Sequence, residues 1–109
     1  MGRNEIDDTL LNELAQTRIR ENSWIARLAA KKLKSESAAI VIGNTIHLYN
    51  TSKKDFLVNK RWLKHELCHI RQFRQYGMVR FIFMYLYESI KKGYYRNKFE
   101  AAAREAENS

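Results

Sequence analysis

The stretch Asn59-Lys60-Arg61-Trp62-Leu63-Lys64-His65-Glu66-Leu67-Cys68-His69-Ile70-Arg71-Gln72-Phe73-Arg74-Gln75-Tyr76-Gly77 decides how the chain is read. Asn59 is a helix-capping residue and Gly77 a helix-stopping one, so the pattern predicts one long helix running to Tyr76. On that helix His65 and His69 stand one turn apart and emerge about 40° from each other. Two imidazoles so placed can reach one ion, and zinc accepts such nitrogens at about 2.0 to 2.1 Å. A catalytic zinc takes three protein ligands and leaves a fourth position to water, so one more ligand has to come from elsewhere in the chain.

Glu66 is turned about 100° from His65, too far to ligate the same ion but near enough to reach its water. Coordination lowers the pKa of that water toward about 7, and a carboxylate beside it can take the proton and deliver it to a leaving amine. The helical projection supports this independently. Trp62, Leu63, Leu67, Ile70 and Phe73 form an apolar arc, Lys60, Lys64, Arg71 and Gln75 lie opposite, and Glu66 falls between Phe73 and Ile70. An ionised carboxylate directed toward a core costs several kcal/mol unless a cation or hydrogen bonds compensate it. Cys68 points away from Glu66 and reads as a small packing residue; His47 likewise reads as structural or solvated.

Upstream, Ile6 to Leu33 reads as helix, with Ile6, Leu10 and Leu14 at four-residue steps and a possible break at Asn22-Ser23. Ala38 to Ile42 and Thr45 to Tyr49 are β-rich runs around Gly43-Asn44, the pattern of a hairpin. Asn50 to Asp55 is polar and reads as a connection. Downstream, a very apolar helix is expected over Val79 to Lys92, stopped by Gly93, and a short alanine-rich helix over Phe99 to Glu107, capped by Asn97. The expected fold class is α+β: an N-terminal helix, a small hairpin sheet, and a motif-bearing helix followed by two further helices. At 109 residues with no linker-like tract, one domain covering 1–109 is expected.

His65-Glu66-Leu67-Cys68-His69, Gln72 one turn later, and Asn97-Lys98-Phe99-Glu100-Ala101-Ala102-Ala103 together resemble the gluzincin peptidases. The resemblance is to their small members, the minigluzincins, which are related to the HtpX-like and CaaX-prenyl peptidases, and it runs from the hairpin onward. It implies a zinc metallopeptidase: a hydrolase with Zn2+ held by His65, His69 and Glu100, with Glu66 as general base and a peptide or protein as substrate. It also implies an edge strand above the metal that aligns extended substrate, for which Ile46 to Tyr49 is the candidate. Lys98 stands where the family's second motif usually has proline. Arg104 stands where many relatives carry an aspartate that supports the metal ligands, so that support is not expected here. Glu88 is the rival third ligand, by its spacing from His69, but Lys91 and Lys92 beside it offer ion pairs that account for it without metal.

Composition sets the alternatives. With 45% hydrophobic residues and five Phe, six Tyr and two Trp, the chain is globular in character. One cysteine excludes an internal disulfide and, with no signal-peptide pattern at the start, points to a cytoplasmic protein. The net charge of +8 raises the possibility of a binding module for nucleic acid or a membrane surface, but the cations are spread through the chain and form no specific nucleic-acid motif. Phe81 to Tyr87 is far shorter than the roughly 20 residues that span a bilayer. Core burial is the expectation for it; peripheral membrane contact and homodimerisation are the alternatives. A zinc-binding protein held latent or inactive is the remaining functional alternative to hydrolysis.

Overall fold

A computed structural model describes the backbone of residues 2–109 and the side chains of residues 8–109, so the expected stripe position Ile6 lies outside the described side chains. The fold is α+β, with helices α1 (Gly2–Ala15), α2 (Trp24–Leu33), α3 (Lys53–Val58), α4 (Lys60–Tyr76), α5 (Met78–Lys92) and α6 (Lys98–Ala106). Strands β1 (Arg18–Arg20), β2 (Ala38–Ile42) and β3 (Thr45–Tyr49) form a sheet of order β1-β3-β2. No helix among the described residues is long and apolar enough to cross a membrane.

The expected helix over Ile6 to Leu33 is two helices with a strand between them. Arg18–Arg20 pairs in parallel with Thr45–His47, and its one inward residue, Ile19, packs against the core. The second helix begins at Ser23, whose hydroxyl accepts from the Ala26 N–H, and ends at Lys34 in the left-handed region (φ 55°). The added strand alters the expected substrate edge. β3 lies between β1 and β2, so Ile46 to Tyr49 is not an edge; β1 and β2 are the outer strands. The hairpin itself turns through Gly43 at φ +63°, where a side chain would also collide with Met78.

The polar connection expected over Asn50 to Asp55 contains the start of α3, because Ser52 caps it by accepting from the Asp55 N–H at 3.0 Å. Phe56 then turns inward, and its ring meets Trp62 edge-on with centroids 5.2 Å apart. The α4 helix starts at its Asn59 cap, which accepts from the Trp62 N–H, and stops at Gly77 with φ +85°. Leu63, Leu67, Ile70 and Phe73 bury its apolar arc against Ile46 and Leu48 of the sheet and against Phe56, Phe81 and Phe99.

The α6 helix lies antiparallel to α4: Arg61 and His65 meet Glu107, His65 and His69 meet Glu100, and Gln72 meets the Phe99 carbonyl. Of its consecutive alanines 101–103, only Ala103 is buried; Ala101 and Ala102 face outward. The start of α6 is fixed by Asn97, which is fully buried. Its amide donates to the Tyr85 carbonyl and the Ser89 hydroxyl, and its carbonyl oxygen accepts from the Phe99 N–H at 2.8 Å. Asn97→Ala removes three partners from a dry position and is expected to destabilise the fold by about 2 kcal/mol in urea denaturation, against less than about 0.5 kcal/mol for exposed Val58→Ala.

Candidate metal centre

His65 and His69 reach the α4/α6 interface from the same face of α4, with ring centroids 5.1 Å apart. Glu100 enters from the first turn of α6, where the positive end of the helix favours a carboxylate. Its Oε1 lies 3.1 Å from His65 Nε2 and 3.2 Å from His69 Nε2, and the three ligand atoms all fall within 4.8 Å of one another. Donors held tetrahedrally about 2.0 to 2.1 Å from zinc stand roughly 3.3 Å apart, a spacing that two of these separations match, so the set could hold such an ion.

The opposite nitrogen of each imidazole is occupied, which decides the direction in which each ring can bind. Gln72 donates its amide to the Phe99 carbonyl, so its Oε1 faces His69 and accepts from Nδ1–H at 2.9 Å. Glu107 accepts from His65 Nδ1–H at 2.7 Å, and Arg61 steadies the same carboxylate at 3.1 Å. Both Nε2 atoms are thereby left facing Glu100. Carboxylate and amide partners of this kind orient histidine ligands and raise their basicity. Support for His65 therefore comes from Glu107 instead of position 104, where Arg104 stacks on Tyr95 and donates to its carbonyl.

Burial acts against the charged forms of both histidines. The Glu100 hydrogen bond and the negative charges nearby outweigh it, raising His65 to about 9 and His69 in the same direction. Burial likewise disfavours ionised Glu100, but its hydrogen bonds from His65 and His69 hold its carboxyl well below the usual range. Glu66 is buried on the same wall. Burial raises it to about 7 against the pull of His69 and His65. Tyr85 donates its hydroxyl to Glu100 Oε2, and burial together with the Glu100 charge keeps both Tyr85 and Tyr94 protonated far above neutrality.

The rival ligand, Glu88, lies elsewhere. Its Oε1 accepts from the Lys98 N–H at 3.1 Å and lies 3.5 Å from Lys92 Nζ, so it ties α5 to the start of α6. Cys68 is half-buried and touches the Gln72 amide, outside the cluster. His47 pairs with Ser23 across 2.9 Å. The sequence reading missed Glu107, Tyr85 and Tyr94. Glu107 carried a signal, since it stands seven residues, or two turns, beyond Glu100 on one helical face. The tyrosines carried none.

His65, Glu66, His69 and Glu100 open into a cleft of about 330 Å³. Its walls are otherwise apolar: Ala29 and Leu33 from α2, Ala39 to Ile42 from β2, and Ile82 and Leu86 from α5, with Tyr85 and Tyr94 beside Glu100. Comparison with known proteins finds no family model, curated protein or solved structure that significantly matches this chain.

Two outcomes are expected of metal titration. Glu107→Gln keeps the fold but lowers zinc affinity by roughly 10- to 100-fold, measured by chelator competition, because His65 loses its charged anchor. With His65 raised to about 9 and His69 in the same direction, zinc must displace protons from its ligands below that pH; its apparent affinity should rise with pH and level off above about 9.

Proposed function

We propose that this chain is a zinc-dependent peptidase of the gluzincin kind, with His65, His69 and Glu100 as metal ligands and Glu66 as general base. The observation that carries the reading is the convergence of two Nε2 atoms and one carboxylate oxygen at the wall of a cleft that also contains a second, buried carboxyl. Zinc bound there would act as a Lewis acid on a peptide carbonyl and lower the pKa of water toward about 7.

The chain's own groups provide the rest. Burial raises Glu66 to about 7 in the metal-free site, and a bound dication would favour its ionised form, which can accept a proton and later give it to a leaving amine. Glu66 has that property without ligating, since α4 turns it away from the line between His65 and His69. Tyr85 and Tyr94 border the cleft, and their protonated hydroxyls face Glu100, whose negative charge they help to hold. β2, one of the two outer strands, contributes Ala39 to Ile42 to the same cleft, so extended substrate has a main-chain partner there.

Glu66→Gln retains the ligand set and removes the base. We expect it to keep wild-type zinc content by elemental analysis and to lose roughly 100- to 10,000-fold in turnover on a peptide library. His65→Ala and His69→Ala should lose both metal and turnover. Full activity in Glu66→Gln would remove the base from the reading, and unchanged zinc in both histidine variants would remove the metal site.

A further inference from the structure

The α5 helix turns Phe81 and Glu88 inward and leaves its other face bare. Val79 (66% exposed), Phe83 (69%), Leu86 (50%) and Ile90 (86%) follow one another at steps of four, three and four, with Ile82 and Tyr87 beside them. The steps place them in one stripe along the whole helix. Monomer surfaces seldom expose apolar side chains in so continuous a row. The stripe also borders the cleft, since Ile82 and Leu86 line it, and half-exposed Leu33 of α2 lines it from the other side.

The exposed charge on the helices beside the cleft is of one sign. The two helices flanking the cleft carry Arg27, Lys31, Lys32, Arg80, Lys91 and Lys92. Their only acid, Glu88, is buried and bonded to the Lys98 N–H and Lys92. Lys91 reaches back over the Tyr87 ring at 5.6 Å, which places an aromatic face and an ammonium together at the edge of the stripe.

We propose that this stripe docks α5 flat on the surface of an anionic phospholipid bilayer. An apolar face edged by cations and aromatics is the arrangement that inserts between acyl chains while its charges meet headgroup phosphates. Pairing with a second copy is the weaker fit. Antiparallel contact of two α5 helices brings Arg80 of one copy toward Lys91 and Lys92 of the other with no exposed acid on either helix to neutralise them. Docking also turns the cleft mouth toward the membrane. The consequence that substrate segments are taken from that surface rests on the peptidase reading; the docking itself does not.

The test is flotation of the purified chain with phosphatidylcholine vesicles, with and without phosphatidylserine. It uses neither zinc nor turnover, so its outcome is separable from that of the peptidase reading. The chain is expected to float with the phosphatidylserine vesicles, at least about tenfold less with phosphatidylcholine alone, and to be released by salt. Phe83→Glu combined with Ile90→Glu should abolish flotation with unchanged circular dichroism. Arg80→Gln combined with Lys91→Gln should remove the preference for the anionic lipid. Failure to float, or equal flotation of a folded Phe83→Glu/Ile90→Glu variant, overturns the proposal. So does a wild-type dimer in sedimentation that this variant converts to monomer without any vesicle binding.

Discussion

The structure depends on keeping Glu100 ionised inside a protein interface. A carboxylate at the contact of two helices destabilises the pair by several kcal/mol unless donors surround it. Here His65 and His69 meet one oxygen and Tyr85 the other, while the first turn of α6 adds its positive end. The packing of α6 on α4 is thus governed by the same contact that creates the candidate site. Glu107, Gln72 and Asn97 then act at one remove. The first two aim the imidazoles, and the third fixes where α6 begins and so where Glu100 falls. Three elements separated in sequence are held to one point by polar contacts that a purely apolar interface would not require.

Most of the elements were legible because their end signals are local. Asn59 and Gly77 bound α4, Gly93 and Asn97 separate α5 from α6, and Gly43-Asn44 turns the hairpin; each signal acts within a few residues of itself. What escaped notice depended on distant partners. Arg18-Ile19-Arg20 is too short to declare a strand and becomes one because Thr45 to His47 offers an edge. The site divides in the same way. His65, Glu66 and His69 are legible from spacing on one helix, and Glu100 from resemblance. Tyr85 sits in an apolar run where nothing distinguishes it from its neighbours until α6 lies across it.

The apolar run itself shows where local reading stops. All its residues are apolar or aromatic, so core burial was expected for it, yet only Phe81 is buried, with Met84 and Tyr85 half-covered. The reason is geometric. This helix is covered from one side only, where α4 and α6 pack on its inner face. Among the described residues no further layer covers the outer face.

That limit links the cleft to the surface. Residues that line the cleft from α5 are taken from the edge between its covered and bare faces: Tyr85 reaches inward to Glu100, whereas Ile82 and Leu86, one turn apart, stand at the mouth. Making α5 polar on its outer side would therefore not leave the cleft untouched, because Ile82 and Leu86 belong to both. An apolar cleft wall on a short, one-sided helix necessarily continues as an apolar surface stripe. The same geometry that encloses His65, His69 and Glu100 with so little chain also determines what kind of surface surrounds the entrance.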